Sequence, residues 1–177
     1  MKEIQTNFQI PIVGKFEKVS FEQFRKDIIN LPFTKNDDFI HKAYDNIKLP
    51  IRSTSGSAGY DFFLPMNIVL HSNRGLVIPT GIRCKIEDGW MLKLYPRSGQ
   101  GFKYGLSFFN TVPVIDSDYY NSDNEGHIMI KLSIKEGYQD FDAETKICQG
   151  IFEQYGITVD DNAIGIRNGG IGSTDKK

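Results

Sequence analysis

The spacing of apolar residues changes once along this chain, near Ile47. Before that point, Phe21, Phe24, Ile28 and Leu31 recur at the three- and four-residue steps of a helix that buries one face. Ser20 stands at its start and Gln23 follows three residues later, which is a capping box. The Leu31-Pro32 step should end that helix, because proline disfavours helical backbone in the residue before it. A second short helix is expected from Asp37 to Tyr44. After Ile47 the step falls to two: Ile128, Ile130, Leu132 and Ile134 alternate with Met129, Lys131 and Ser133. Met91 to Tyr95 and Phe62 to Leu70 read as further strands, and turn formers recur at Asn73-Arg74-Gly75, Pro79-Thr80-Gly81 and Glu87-Asp88-Gly89. Many short strands with frequent turns predict an all-β barrel or sandwich over residues 46–164. Residues 1–45 read as a helical N-terminal extension packed on it, with a partner-binding arm as the alternative. From Gly165 to Lys177 the chain is rich in Gly, Asn, Ser and Thr, which predicts a tail that is mobile when no ligand is bound.

Composition narrows the classes of function. The 177 residues suit one domain with an extension, and 21 basic residues balance 22 acidic ones. A broad basic face for nucleic acid is not expected, whereas a small anionic ligand needs only a few local cations. Cys84 and Cys148 lie far apart with no C-x-x-C spacing, which suggests reduced thiols and a cytoplasmic protein. His41, His71 and His127 form no ligand spacing. No apolar run is long enough to span a membrane, and the polar start does not read as a signal peptide.

The chemistry-bearing residues come in short clusters. In Val114-Ile115-Asp116-Ser117-Asp118-Tyr119 an apolar pair runs directly into acids, and alternation points Val114 and Asp116 to one face and Ile115 to the other. A carboxylate there can orient and deprotonate a water. The flat ring of Tyr119 can press on the 2′ carbon of a sugar and leave no room for a hydroxyl. Arg97-Ser98-Gly99 offers a guanidinium fork, a hydroxyl and closely approachable backbone N–H groups, a set suited to phosphate. Arg167-Asn168-Gly169-Gly170-Ile171-Gly172-Ser173-Thr174 offers a similar set without the lysine of a Walker loop. Gln149 can donate to a phosphate oxygen without adding charge. Two phosphate-type sets in one small neutral chain point to a polyphosphate ligand.

Taken in order, Ser57-Ala58-Gly59-Tyr60-Asp61, Pro96-Arg97-Ser98-Gly99, the Asp116 cluster, Lys146-Ile147-Cys148-Gln149 and Gly169-Gly170-Ile171-Gly172-Ser173-Thr174 resemble the five motifs of the trimeric dUTPase family. The resemblance covers Ile47 to Thr174. It implies a β-barrel, jelly-roll-like subunit, a homotrimer, and Mg²⁺-dependent hydrolysis of dUTP to dUMP and pyrophosphate. By the same resemblance Asp116 is the water-activating carboxylate and Tyr119 the ring against the deoxyribose. Asn110, Val114, Ile115 and Met129 meet the uracil. Arg97, Ser98, Gly99 and Gln149 meet the phosphates, as do Arg167, Gly172, Ser173 and Thr174, while Ile171 takes the lid position over the base. No direct protein ligand to the metal is implied, and Asp61 supports it through water.

The chain departs from the family pattern at four places. Pro113 stands where glycine is usual, so the base-reading backbone must differ locally. Ile171 replaces an aromatic lid residue and cannot stack as a ring does. Arg167 lies one residue closer to the lid than usual. Tyr120 to Glu125 lengthens the segment after Tyr119 and is expected to form an exposed loop that decorates the fold or contacts another protein. Two alternatives stand beside the hydrolase: a nucleotide-gated binding protein of the same fold, and a dCTP deaminase, which the Arg97-Ser98-Gly99 spelling disfavours.

Overall fold

The computed structural model describes residues 9–29, 31–34, 36–72, 74–165 and 167–169. Asn73 and the tail residues from Gly170 to Lys177, including Ile171, Gly172, Ser173 and Thr174, lie outside them. Strand pairing dominates, and every ladder is antiparallel. The strands are β1 (Gly14–Lys18), β2 (Ile51–Arg52), β3 (Tyr60–Phe63), β4 (Ile68–His71), β5 (Leu76–Pro79), β6 (Ile82–Ile86), β7 (Trp90–Pro96), β8 (Ser107–Phe108), β9 (Val114–Ile115), β10 (Met129–Ser133), β11 (Tyr138–Phe141) and β12 (Lys146–Gln154). They form four sheets, ordered β2-β3-β12-β7-β9, β5-β10-β8, β4-β11 and β1-β6. Three short helices accompany them: α1 (Phe21–Ile28), α2 (Asp37–Asp45) and α3 (Ser98–Tyr104). The all-β reading therefore holds, with strands forming a jelly-roll-like body.

The alternation along β10 does what it predicts. Ile128, Ile130, Leu132 and Ile134 are buried, and Lys131 between them is exposed. The expected strand from Phe62 to Leu70 is instead two strands, because Pro65 removes a ladder donor and the chain turns between β3 and β4. Gly81 takes φ +73° at the turn between β5 and β6, where a Cβ would also run into the Ile47 side chain, which favours glycine.

The N-terminal region is not helical throughout: β1 runs antiparallel to β6, with Phe16 opposite Cys84. Its two helices start where the spacing placed them, but α1 ends at Ile28, three residues before the expected stop at Leu31. Phe24, Ile28 and Ile40 are fully or nearly fully buried, in one core with Phe62, Leu70, Leu92 and Leu132. Phe21 stacks on His41 at 4.4 Å between centroids, and the Tyr44 hydroxyl donates to the Val19 carbonyl, tying the two helices together. The capping box is only half made. Ser20 Oγ accepts from the Gln23 N–H at 3.1 Å, but Gln23 turns away to Asp27. Glu125, more than a hundred residues later, supplies the missing acceptor to the Ser20 N–H at 2.8 Å.

That contact corrects the expectation of an exposed 120–125 loop. Ser122 and Gly126 are buried, and Tyr120, Asn124 and Glu125 are half-buried. The Tyr120 hydroxyl bonds Glu17 on β1, and the Arg83 guanidinium lies 3.7 Å from the Tyr120 ring centroid. The segment is held because it has N-terminal partners that sequence spacing alone does not reveal. Both thiols are free and buried. Burial pushes Cys84 up to about 12, and the same cause raises Cys148.

Candidate active site

Two groups of predicted site residues assemble, one at each side of the β2-β3-β12-β7-β9 sheet. In the first, β12 lies between β3 and β7, with Gln149 opposite Asp61 on one side and Tyr95 on the other. Asp61 Oδ1 receives Arg97 Nε at 2.7 Å, and its Oδ2 receives Lys146 Nζ at 2.9 Å and Ser53 Oγ at 2.7 Å. Burial alone would raise the Asp61 carboxyl, but Lys146, Ser53 and Arg97 together hold it below the usual carboxylate range. Asp61 is thus committed to orienting two cations. Gln149 Nε2 donates to the Pro96 carbonyl at 3.3 Å. Its side chain lies across Gly59, where a Cβ would run into Gln149 Oε1. Ser98 and Gly99 open α3, and the Arg97 carbonyl accepts from the Gly101 N–H at 2.8 Å. The first N–H groups of that helix therefore have no partner within it. In the sequence Lys146 has a place in the fourth motif but no role, and Ser53 belongs to none of the five motifs.

The second group gathers where β9 ends. Val114 and Ile115 pair with Lys93 and Leu92 of β7, so Ile115 is buried while Val114 and Asp116 face outward. Asp116 precedes a short 3-10 turn, Ser117–Asn121, and its carboxylate makes no cap bond. Instead Arg167 Nη1 reaches Asp116 Oδ2 at 2.6 Å and Asp118 Oδ1 at 3.3 Å. The Arg167 guanidinium also lies 4.9 Å from the centroid of the Tyr119 ring. Arg167 side-chain exposure is 20%, against 51% for Asp116, so the carboxylate keeps an open side. Tyr119 itself is buried, and its hydroxyl donates to the His127 carbonyl. Asp118 was not singled out from the sequence, although its two-residue spacing from Asp116 places both acids within reach of one guanidinium.

The hairpin before β9 absorbs the proline. Thr111 adopts φ +64°, Val112 N–H donates to the Asn110 carbonyl at 2.7 Å, and the Pro113 carbonyl accepts from the Leu94 N–H at 3.0 Å. The left-handed turn is made at Thr111, so Pro113 keeps the backbone that its ring requires. Asn110 is exposed, and Met129 opens β10 half-buried, opposite Pro79. Among the described residues no hydrogen bond or ion pair joins the Asp116 group to the Asp61 group, and none forms a cluster of three His, Cys, Asp or Glu able to cage a metal ion.

The dUTPase family model matches residues 45–174, over strands that carry both groups. This chain belongs to the dUTPase family. It is 35% identical over 132 residues to the deoxyuridine 5'-triphosphate nucleotidohydrolase of Lactococcus lactis, covering 72% of this chain and 88% of that one. It is 30% identical to the enzyme of the same name from Wolinella succinogenes, covering 76% and 91% respectively. Among solved structures, the dUTPase of Streptococcus mutans superposes with a TM-score of 0.61 at 28% identity, over 81% of this chain and 97% of that chain. A dUTPase variant from phage phi11 of S. aureus, solved with a structural Mg(II) ion, superposes with a TM-score of 0.56 at 20% identity over 68% of this chain and 92% of its own, a likeness of fold. The family match begins where the apolar spacing changes, and β1, α1 and most of α2 precede it.

Proposed function

We propose that this dUTPase hydrolyses dUTP to dUMP and pyrophosphate, with Asp116 activating the water that attacks the α-phosphorus. The observation that carries the reading is Asp116 itself: an uncapped carboxylate at a strand end, open on one side and faced by an arginine on the other. A guanidinium that pairs with carboxylates is also a ready phosphate donor. Recruitment of Arg167 by the phosphates would leave Asp116 free to accept a proton from water. Tyr119 sits against the deoxyribose, and Asn110, Val114, Ile115 and Met129 meet the uracil. Arg97, Ser98, Gly99 and Gln149 take the phosphates, with Gly172, Ser173 and Thr174 closing over them and Ile171 over the base.

Mg²⁺ would be held chiefly by phosphate oxygens and water. Bound there, the ion would neutralise phosphate charge and align the leaving group. The Asp61–Arg97 pair supports the phosphate side of that arrangement, and any link from Asp61 to the ion would run through water. Because the Asp61 and Asp116 groups stand apart within one chain, the complete site is proposed to form between copies in a homotrimer. Two buried free thiols accord with a reducing compartment, here proposed as the cytoplasm. No described helix is long and apolar enough to cross a membrane.

The test is pyrophosphate release from dUTP, dTTP, dCTP and UTP with Mg²⁺, run beside Asp116→Asn. Selective release from dUTP is expected, with turnover about 100- to 10,000-fold lower in the variant and nucleotide affinity nearly unchanged. Wild-type turnover in Asp116→Asn would overturn the assigned base. Tight dUTP binding without release from the native chain would instead favour a nucleotide-gated binding protein.

A further inference from the structure

Tyr119 is held in place through its hydroxyl, and the chain of bonds that holds it ends in the N-terminal helix. The hydroxyl donates to the His127 carbonyl at 2.8 Å and receives Asn124 Nδ2 at 2.8 Å. His127 is fully buried. Its Nε2 accepts from the Gly81 backbone N–H at 2.8 Å, and its Nδ1 lies 2.6 Å from Asp27 Oδ2. A backbone N–H can only donate, so Nε2 carries no proton. The single ring proton then sits on Nδ1 and donates to Asp27. The same Asp27 oxygen receives Gln23 Nε2 at 2.7 Å, which fixes the carboxylate on α1.

A second set of contacts runs in parallel. Glu125 accepts from both the backbone N–H and the hydroxyl of Ser20, at 2.8 and 2.6 Å. Tyr120 bonds Glu17, and Arg83 both covers the Tyr120 ring and donates to its carbonyl at 2.9 Å. The segment that follows Tyr119 is therefore bonded to β1 and to the start of α1, and His127 just beyond it to the last turn of α1. Tyr119 stands at the root of that segment, and Asn124 within it grips the Tyr119 hydroxyl directly.

We propose that Asp27 and His127 are positioning residues that fix the depth of the Tyr119 ring, so that the N-terminal helix sets how strictly the site excludes a ribose. The proposal rests on the reading of Tyr119 as the ring that meets the sugar. Exclusion of a 2′-hydroxyl by a flat ring is steric and depends on small displacements of that ring. Removing the Asp27 carboxylate leaves a buried imidazole N–H unpaired. The imidazole must then shift or admit water, and the His127 carbonyl and Tyr119 hydroxyl shift with it.

The experiment compares kcat/KM for dUTP and for UTP in the native protein and in Asp27→Ala, Asp27→Asn, Tyr119→Phe and Tyr119→Leu, with the thermal midpoint of each recorded. Asp27→Ala is expected to lower the dUTP-to-UTP ratio about tenfold or more, as small misplacements in an active site do. Asp27→Asn keeps an oxygen that can accept both bonds, and the ratio should return to the native value. Tyr119→Phe keeps the ring, loses its tether, and should resemble Asp27→Ala. If Tyr119→Leu leaves the ratio unchanged, the sugar-contact reading itself fails. If Tyr119→Leu collapses the ratio while Asp27→Ala and Tyr119→Phe preserve it, the positioning proposal alone is overturned. Should Asp27→Ala not fold, Tyr119→Phe decides the point together with imidazole nitrogen NMR on the unaltered protein, whose three histidines keep the spectrum simple. A proton on Nδ1 of His127 is expected, and a proton on Nε2 would overturn the proposal.

Discussion

Asp61 shows what a single side chain can disclose in sequence and what it cannot. Its motif marked it for the phosphate side of the site, but only the folded sheet sets it between Arg97, Lys146 and Ser53. The partners come from separate strands and loops, so no spacing along the chain relates them. The same holds for His127, which has no ligand spacing and is nonetheless buried between Asp27 and Gly81. Asp27, Asp61 and Glu125 all have carboxyls held below their ordinary values; in each case burial alone would raise them, but hydrogen bonds to His127, Lys146 and Ser20 respectively lead the opposing effects. A depressed folded value means that the unfolded chain binds more protons as pH falls. Each group therefore stabilises the fold above its unfolded pKa and loses that contribution as pH drops through the folded one. The thermal midpoint should stay level near neutrality and fall steeply below about pH 4. Asp61→Asn should remove part of that fall and, with Arg97 released, weaken dUTP turnover. An acid limb of unchanged steepness in the variant would count against this assignment.

Elements were legible where periodicity was long and illegible where it was short. Helix α1 followed from four apolar residues and a cap, and β10 from four alternating isoleucines and leucines. Strand β1 was missed because Gly14-Lys15-Phe16-Glu17-Lys18 carries one apolar side chain and looks like a polar lead-in to the helix. Its strand character comes from β6, which offers it a ladder. The structure also decides between an appendage and a structural part. Phe24 is fully buried against the strand core, so Phe24→Ala should cost about 3–5 kcal/mol in denaturant unfolding. A cost near zero would show that α1 is carried by the fold without stabilising it. Tyr120 to Glu125 was expected to be exposed for a related reason: Glu125 and Tyr120 pair with Ser20 and Glu17, which precede them by about a hundred residues, beyond the reach of local pattern.

At the scale of the whole molecule, the candidate site is split. Asp116, Tyr119 and Arg167 stand together, Asp61, Arg97 and Gln149 stand together, and the order of motifs along the chain does not reveal that separation. If copies complete one another, Asp116→Asn and Arg97→Ala should each be nearly inactive alone, and co-expression of the two should restore a fraction of dUTP turnover. No recovery in mixed oligomers would place the whole site within one copy. The buried thiols bear on the molecule in another way. Cys84 lies on β6 beside β1, opposite Phe16, whereas Cys148 sits inside the five-stranded sheet. Separation of β1 from β6 should open Cys84 to thiol reagents before Cys148, which lies on β12 between β3 and β7, and equal labelling rates would show that both sulfurs open only with the core they share. The chain thus carries two sealed clocks, one for the loosening of its edge and one for the loss of its core.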